Sequence, residues 1–232
     1  MEELSVSQIK EIFGRDDLDA VFCEELSRLL DLYMVTFKID TPIRRVRFLS
    51  QAVSETGVMR NGEVRVRENL NYSADALKKL SRYFRNNPHQ AKKHGRTKAQ
   101  KANQKMIANL WYADANRSPR LRLGNVKEGD GWLYRGAGLF QSTGRENITK
   151  DFRHIEKMTD MRLTDENGDV FEGVLSNYTM SIMLGMAHWH RTGMYKLEST
   201  NAITNKINAG LPDEKKRERL ATALRVKGVL RV

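Results

Sequence analysis

Apolar residues in this chain recur at helical spacing and almost nowhere alternate, which restricts the fold to a mainly α architecture. Residues 16–34 carry Leu18, Val21, Phe22, Leu26, Leu29, Leu30 and Tyr33 on one stripe, behind an Asp cluster that suits the positive end of a helix dipole. Thr41 followed by Pro42 reads as a hydroxyl N-cap with proline at the first helical position. The stripe Ile43, Val46, Leu49 and Val53 then runs to Gly57, a C-cap residue. Further helices are expected at 73–84, 90–112, 176–191, 202–207 and 214–226. The main strand signal lies in 163–175, where Val170 and Phe171 follow an Asn167-Gly168 turn, enough for one short hairpin. Irregular stretches remain at 57–72 and 113–147; loops that long inside a compact domain are usually functional.

A chain of 232 residues suits one domain with a real core and no need of disulfides or metals. No repeat or low-complexity linker divides it. The single cysteine, Cys23, excludes an intrachain disulfide and any multi-Cys metal site. It adjoins an apolar helix face and reads as inert core. No stretch approaches the ~20 apolar residues that span a bilayer. The start, MEELSVSQIKEIFGRDD, has neither the basic opening nor the apolar run of a secretory signal peptide, so synthesis in a cytoplasm without export by that route is expected.

The formal charge of +11 is local. Residues 78–127 hold 14 Lys/Arg against the single acid Asp114. The first 41 residues are acidic, with ten Asp/Glu against four Lys/Arg. Such a basic segment points to a polyanionic partner: nucleic acid, an anionic membrane surface or a cell-wall polymer. The competing reading is a solvated face that serves solubility. No Phe, Tyr or Trp occurs between Arg85 and Leu110, which argues against a single-strand stacking groove and a specific nucleic-acid function.

Three carboxylates stand out. Glu55 continues the apolar line of Phe48 and Ala52 at the C-terminal end of its helix, where burial and the helix dipole both disfavour its charge. A carboxyl so placed suits a general acid; the alternative is a helix-end Glu turned to solvent. Glu63 and Glu68 follow in NGEVRVRENLNYS, with Arg65 and Arg67 beside them to hold a carboxylate ionised, or else as a plain charged loop. The segment 129–148, GDGWLYRGAGLFQSTGRENI, combines glycines that let backbone approach a ligand with aromatic faces and hydrogen-bonding side chains. Its Gly136-Ala137-Gly138 opens no βαβ unit, so it marks no dinucleotide site. His188-Trp189-His190 places its histidines off a shared helix face, and no metal site is expected.

The ordered motifs FLSQAVSETG, ENLNYSADAL, IANLWYADANR, GDGWLYRGAGLFQSTGRENI, HWH and ITNKINAGL resemble the glycoside hydrolase family 19 catalytic domain over roughly residues 40–212. More closely, they resemble its phage endolysin branch. The resemblance implies a lysozyme-like, mainly α fold with long active-site loops. The acid of the family motif HE(S/T)GG falls on Glu55, here preceded by Ser54 and followed by Gly57-Val58. The Glu opening ENLNYSA, Glu68, matches the second carboxylate, with Glu63 the alternative. In RGxGLIQLTGRxNY the positions fall on Gln141, Thr143 and Asn147; the resemblance makes Thr143 a water-positioning hydroxyl and the other two substrate contacts. The closing Tyr is Ile148 here, which implies one weakened sugar contact. INGG becomes Ile207-Asn208-Ala209-Gly210, making Asn208 a substrate contact. Tyr72 matches the sugar-binding floor, and Trp132 and Tyr134 offer ring faces for a sugar.

The implied function is an endolysin that hydrolyses β-1,4 bonds of peptidoglycan with inversion, using no metal or organic cofactor. Residues 1–40 are expected as N-terminal helices packed on a catalytic domain of 41–232. The segment 78–127 is expected to attract an anionic cell envelope. The protein is expected to act as a monomer and to reach the wall through a separate membrane pore. The rivals are a chitinase, a lytic transglycosylase and a non-catalytic nucleic-acid- or wall-binding module.

Overall fold

A computed structural model describes residues 3–170 and 172–232. The architecture is mainly α, as the lysozyme-like expectation requires. In chain order the helices are α1 (Val6–Phe13), α2 (Ala20–Tyr33), α3 (Pro42–Glu55), α4 (Ala74–Leu80), α5 (Arg82–Asn86) and α6 (Pro88–His94). They continue as α7 (Gln104–Tyr112), α8 (Asp130–Leu133), α9 (Arg145–Met158), α10 (Tyr178–Arg191), α11 (Thr200–Ile207) and α12 (Asp213–Val229). Among the described residues β pairing is confined to isolated bridges. Among the described residues no helix is long and apolar enough to cross a membrane.

The chain forms two compact units. The first takes the chain up to Val66, then Gly138–Gln141, then Asp151 to Val232; the second takes Arg67–Ala137 and Ser142–Lys150. The polypeptide therefore passes from one to the other four times, after Val66, Ala137, Gln141 and Lys150.

In the first unit α10 is buried along most of its length, from Met180 through Trp189, the pattern of a central helix. Phe48 of α3 meets Trp189 edge-on at 5.8 Å and Phe140 at 5.6 Å. Residues 1–40 belong to this unit. Ser5 and Gln8 close a capping box on α1, each side chain accepting from the other's N–H. From α10, the Tyr178 hydroxyl donates to Asp19 (2.7 Å) and the Thr179 hydroxyl to Glu25 (2.5 Å), both on or capping α2. Cys23 is fully buried, and that burial pushes its thiol up to about 11, which keeps it protonated and unreactive.

The second unit is built on Leu70, Leu77, Phe84, Ala91, Ile107, Ala108 and Tyr112. Two expected helices are each broken here. The 73–84 segment splits because Ser81 is extended (φ −116°, ψ 127°) and buried, ending α4 and starting α5. The 90–112 segment ends its first helix at His94. Gly95 lies so close to neighbouring backbone that a Cβ would sit 2.6 Å from Ala74 N and Ala91 O. The Gln100 amide then donates to the carbonyls of Lys92, Lys93 and Gly95, satisfying the helix end that a continuous helix would have satisfied itself. Helix α9, inside what the sequence left unassigned, buries Ile148, Phe152 and Ile155. Ile148 is thus a core residue, not a weakened sugar contact. At 163–170 the hairpin signal gives a tight turn with one bridge, Thr164 to Val170; Phe171 lies outside the described residues.

Two histidines of the first unit make stability depend on pH. His154 Nε2 lies 2.7 Å from His190 Nδ1, with the rings stacked and Tyr195 stacked on His190. Burial pushes both below their ordinary value of 6.5, His190 further lowers His154, and Lys38 and Lys196 lower His190; Asp151 opposes at His154, while Arg191 and Lys157 add to the lowering there. Below about 6.5 the unfolded chain therefore binds more protons at these sites than the folded one, so stability falls as pH drops. The melting temperature is expected to fall between pH 7 and pH 5, and the fall to shrink in His154→Gln. Identical pH slopes for the two proteins would refute the assignment.

Candidate functional site

In the first unit Glu55 closes α3, and its side chain is 19% exposed. The apolar line through Phe48 and Ala52 does deliver it to a mostly buried position. The sequence expected no compensating partner there. The structure supplies one: the Arg219 guanidinium of α12, itself 8% exposed, bonds Glu55 Oε1 and also donates to Gln51 Oε1 at 2.8 Å. Gln51 Nε2 donates in turn to Thr204 Oγ1 at 3.0 Å. Three helices, α3, α11 and α12, thus fix one carboxylate. Among the described contacts Glu55 Oε2 makes no hydrogen bond, so it is the oxygen available to a ligand.

Three other candidates lie in this unit. Glu63 is exposed at a turn closed by Met59 N–H donating to its carbonyl at 2.8 Å. Gln141 takes a left-handed conformation (φ 49°), and its amide donates to Gly138 O at 3.0 Å. Asn208 is exposed at the C-terminal cap of α11, where its Oδ1 accepts from Gly210 N–H.

In the second unit Glu68 is half-buried and held from two sides. The Tyr112 hydroxyl lies 2.8 and 2.9 Å from its two oxygens, and Gly136 N–H donates to Oε2 at 3.3 Å. Burial and then the adjacent Glu68 carboxylate push the Tyr112 phenol far up, so it remains a protonated donor. Both neighbours present hydrogens to Glu68, which serves there as a hydrogen-bond acceptor. Backbone pairing sets its surroundings: Glu68 N–H donates to Gly136 O (2.8 Å) and Ala137 N–H to Ser142 O (3.0 Å). The segments 67–68 and 142–143 therefore flank 136–137, bringing Glu68 and Thr143 to either side of one short extended piece. Asn147 is exposed and donates to Thr143 O at 3.1 Å.

Tyr72 is half-buried and packs on Trp111 with ring centres 5.6 Å apart. Trp132 is also half-buried, and the Arg135 guanidinium lies 3.5 Å over its ring. Tyr134 corrects the sequence reading. It is fully buried, with Arg145 4.6 Å over its ring, and Arg145 is itself paired with buried Asp130 at 2.5 Å. Its ring supports the loop from beneath instead of offering a face to a sugar.

Sequence reasoning missed Arg219 and Tyr112 as partners of the two carboxylates. Arg219, Ala223 and Val226 are the buried positions of α12, at i, i+4 and i+7. That spacing marks a core face, and a charge on a core face signals a buried partner. Tyr112 lay within the motif IANLWYADANR with no feature setting it apart.

No protein-family model matches the chain. A protein of Haemophilus influenzae, described as a glycosyl hydrolase family 19 domain-containing protein, is 33% identical to it over 184 residues, which is 79% of this chain and 80% of that protein.

Proposed function

The chain belongs to glycosyl hydrolase family 19, and from that we propose an endolysin that hydrolyses β-1,4 glycosidic bonds of bacterial peptidoglycan. Hydrolysis of a glycoside needs one carboxyl group to protonate the leaving oxygen and a second to activate water or attack. Glu55 takes the first role through Oε2, with Arg219 as the residue that positions it. Glu68 takes the second, with Thr143 orienting the water. The observation that favours Glu68 over Glu63 is the pair of donors, Tyr112 and Gly136, that fix it as an acceptor. Tyr72, Trp132, Gln141, Asn147 and Asn208 are proposed substrate contacts, while Tyr134 supports the loop.

Inversion at the anomeric carbon follows from this division of labour and calls for carboxyl groups about 6.5–9.5 Å apart. A separation near ~5 Å in a ligand-bound crystal structure would make the enzyme retaining. Peptidoglycan is favoured over chitin by charge. The second unit carries eighteen Lys/Arg against six Asp/Glu, so it holds the whole of the protein's excess positive charge and suits an anionic envelope.

Turnover on purified peptidoglycan and on chitin oligomers, with mass analysis of products, tests the reading. Hydrolysed glycan that has gained one water per bond cut is expected, faster on peptidoglycan. Faster turnover of chitin would make the protein a chitinase. Anhydro ends lacking that water would make it a lytic transglycosylase.

A further inference from the structure

The second unit contains a cleft of about 400 Å³ between α5 and the turn at 115–118, lined by none of the residues assigned to catalysis. Arg82, Tyr83, Asn86, Asn116, Arg117 and Ser118 line it, and no acid does. Its volume falls within the range of small-ligand pockets. We propose that this cleft is a binding site for the phosphate group of a phosphorylated glycan.

The donor set carries the proposal. Arg117 is held in place: Nε donates to Leu121 O at 2.5 Å and Nη1 to Trp111 O at 3.3 Å, with the guanidinium 6.0 Å over the Tyr112 ring. Its Nη2 makes no hydrogen bond among the described contacts. Asn116 is likewise fixed, its amide donating to Leu110 O at 2.8 Å. Arg82, Asn86, Ser118 and the Tyr83 hydroxyl make no side-chain hydrogen bond among the described residues. Arg82 is exposed and pairs with no carboxylate there. One anchored and one free guanidinium, surrounded by neutral donors, match the several acceptor oxygens of a phosphate. The 14 Lys/Arg of 78–127, facing a single acid, extend the attraction beyond contact range.

The carrier is argued separately. Among the lining residues Tyr83 alone carries an aromatic ring, too few faces for a run of stacked bases, so nucleic acid is disfavoured. A glycan carrier rests on the proposed glycan-cleaving function; the phosphate site itself does not.

Titration calorimetry on the full chain at low salt, with N-acetylglucosamine 6-phosphate and N-acetylglucosamine as probes, tests both parts. The phosphorylated sugar is expected to bind at least about tenfold more tightly. Arg82→Glu should weaken it about tenfold, and Arg117→Lys, which keeps charge but loses the fork, several-fold. Arg82→Glu should hydrolyse a neutral oligosaccharide at the wild-type rate. Equal binding of the two sugars, or no effect of Arg82→Glu, would overturn the site. Inorganic phosphate or a single-stranded oligonucleotide that binds as tightly as the sugar phosphate, and loses that binding in Arg82→Glu, would overturn the glycan as carrier. An inactive wild-type protein that still prefers the phosphorylated sugar would overturn the hydrolase reading and leave the phosphate site standing.

Discussion

Glu55→Gln is expected to lower kcat for glycan hydrolysis by about 10²–10⁴-fold, the range that positioned proton transfer supplies. The amide oxygen can still accept from Arg219, so the link from α12 to α3 survives. What is lost is the proton delivered to the departing sugar oxygen, together with the negative charge that pairs with Arg219. The melting temperature is expected to fall, but by less than in Arg219→Met, since the swap keeps shape and acceptor while leaving the Arg219 charge without its counter-ion. Steady-state rates on purified glycan together with a thermal melt decide the matter. A variant that cleaves at the wild-type rate would end the assignment of Glu55 as the acid.

Arg219→Met should destabilise the protein by about 3 kcal/mol, as removal of one partner from a buried ion pair does. Methionine fills much of the volume but leaves Gln51 Oε1 and the Glu55 carboxylate without their shared donor. For a chain of this length that loss corresponds to a drop of about 6–12 °C in melting temperature. Arg219→Lys should fall between the two, because one ammonium cannot serve both acceptors as a planar fork does. Activity distinguishes positioning from mere stability. Assayed well below its own melting temperature, Arg219→Met should still show a lowered kcat and a shifted pH profile. A melt within 2 °C of wild type would show that α3 and α12 hold together without the pair.

Much of this arrangement was legible before the structure. The stripe of residues 16–34 and the Thr41-Pro42 start lead directly to α2 and α3, because burial on one face dictates both. The same stripe delivered Glu55 to the end of a buried line. Legibility failed where side chains satisfied backbone groups that periodicity assigns to a helix. Gln100 reaches back to three carbonyls, a contact that apolar spacing does not encode. Helix α9 shows the opposite failure. Ile148, Phe152 and Ile155 have helical spacing, but a glycine-dense segment just before them drew attention to the loop. At the candidate site the carboxylates could be named from sequence, whereas their partners could not. Tyr112 lies 44 residues from Glu68, and Arg219 lies 164 from Glu55, so only the fold pairs them.

That last separation governs the order in which the protein can mature. Arg225 of α12 donates to Ile12 O, 213 residues away, and Arg219 reaches α3. The first unit therefore waits for α12 to leave the ribosome. The second unit is complete once residue 150 has emerged. Vectorial synthesis thus favours closure of the middle of the chain while the N-terminal helices stand without their C-terminal partner. The four passages of the chain between units also mean that neither unit is a single uninterrupted stretch of the sequence.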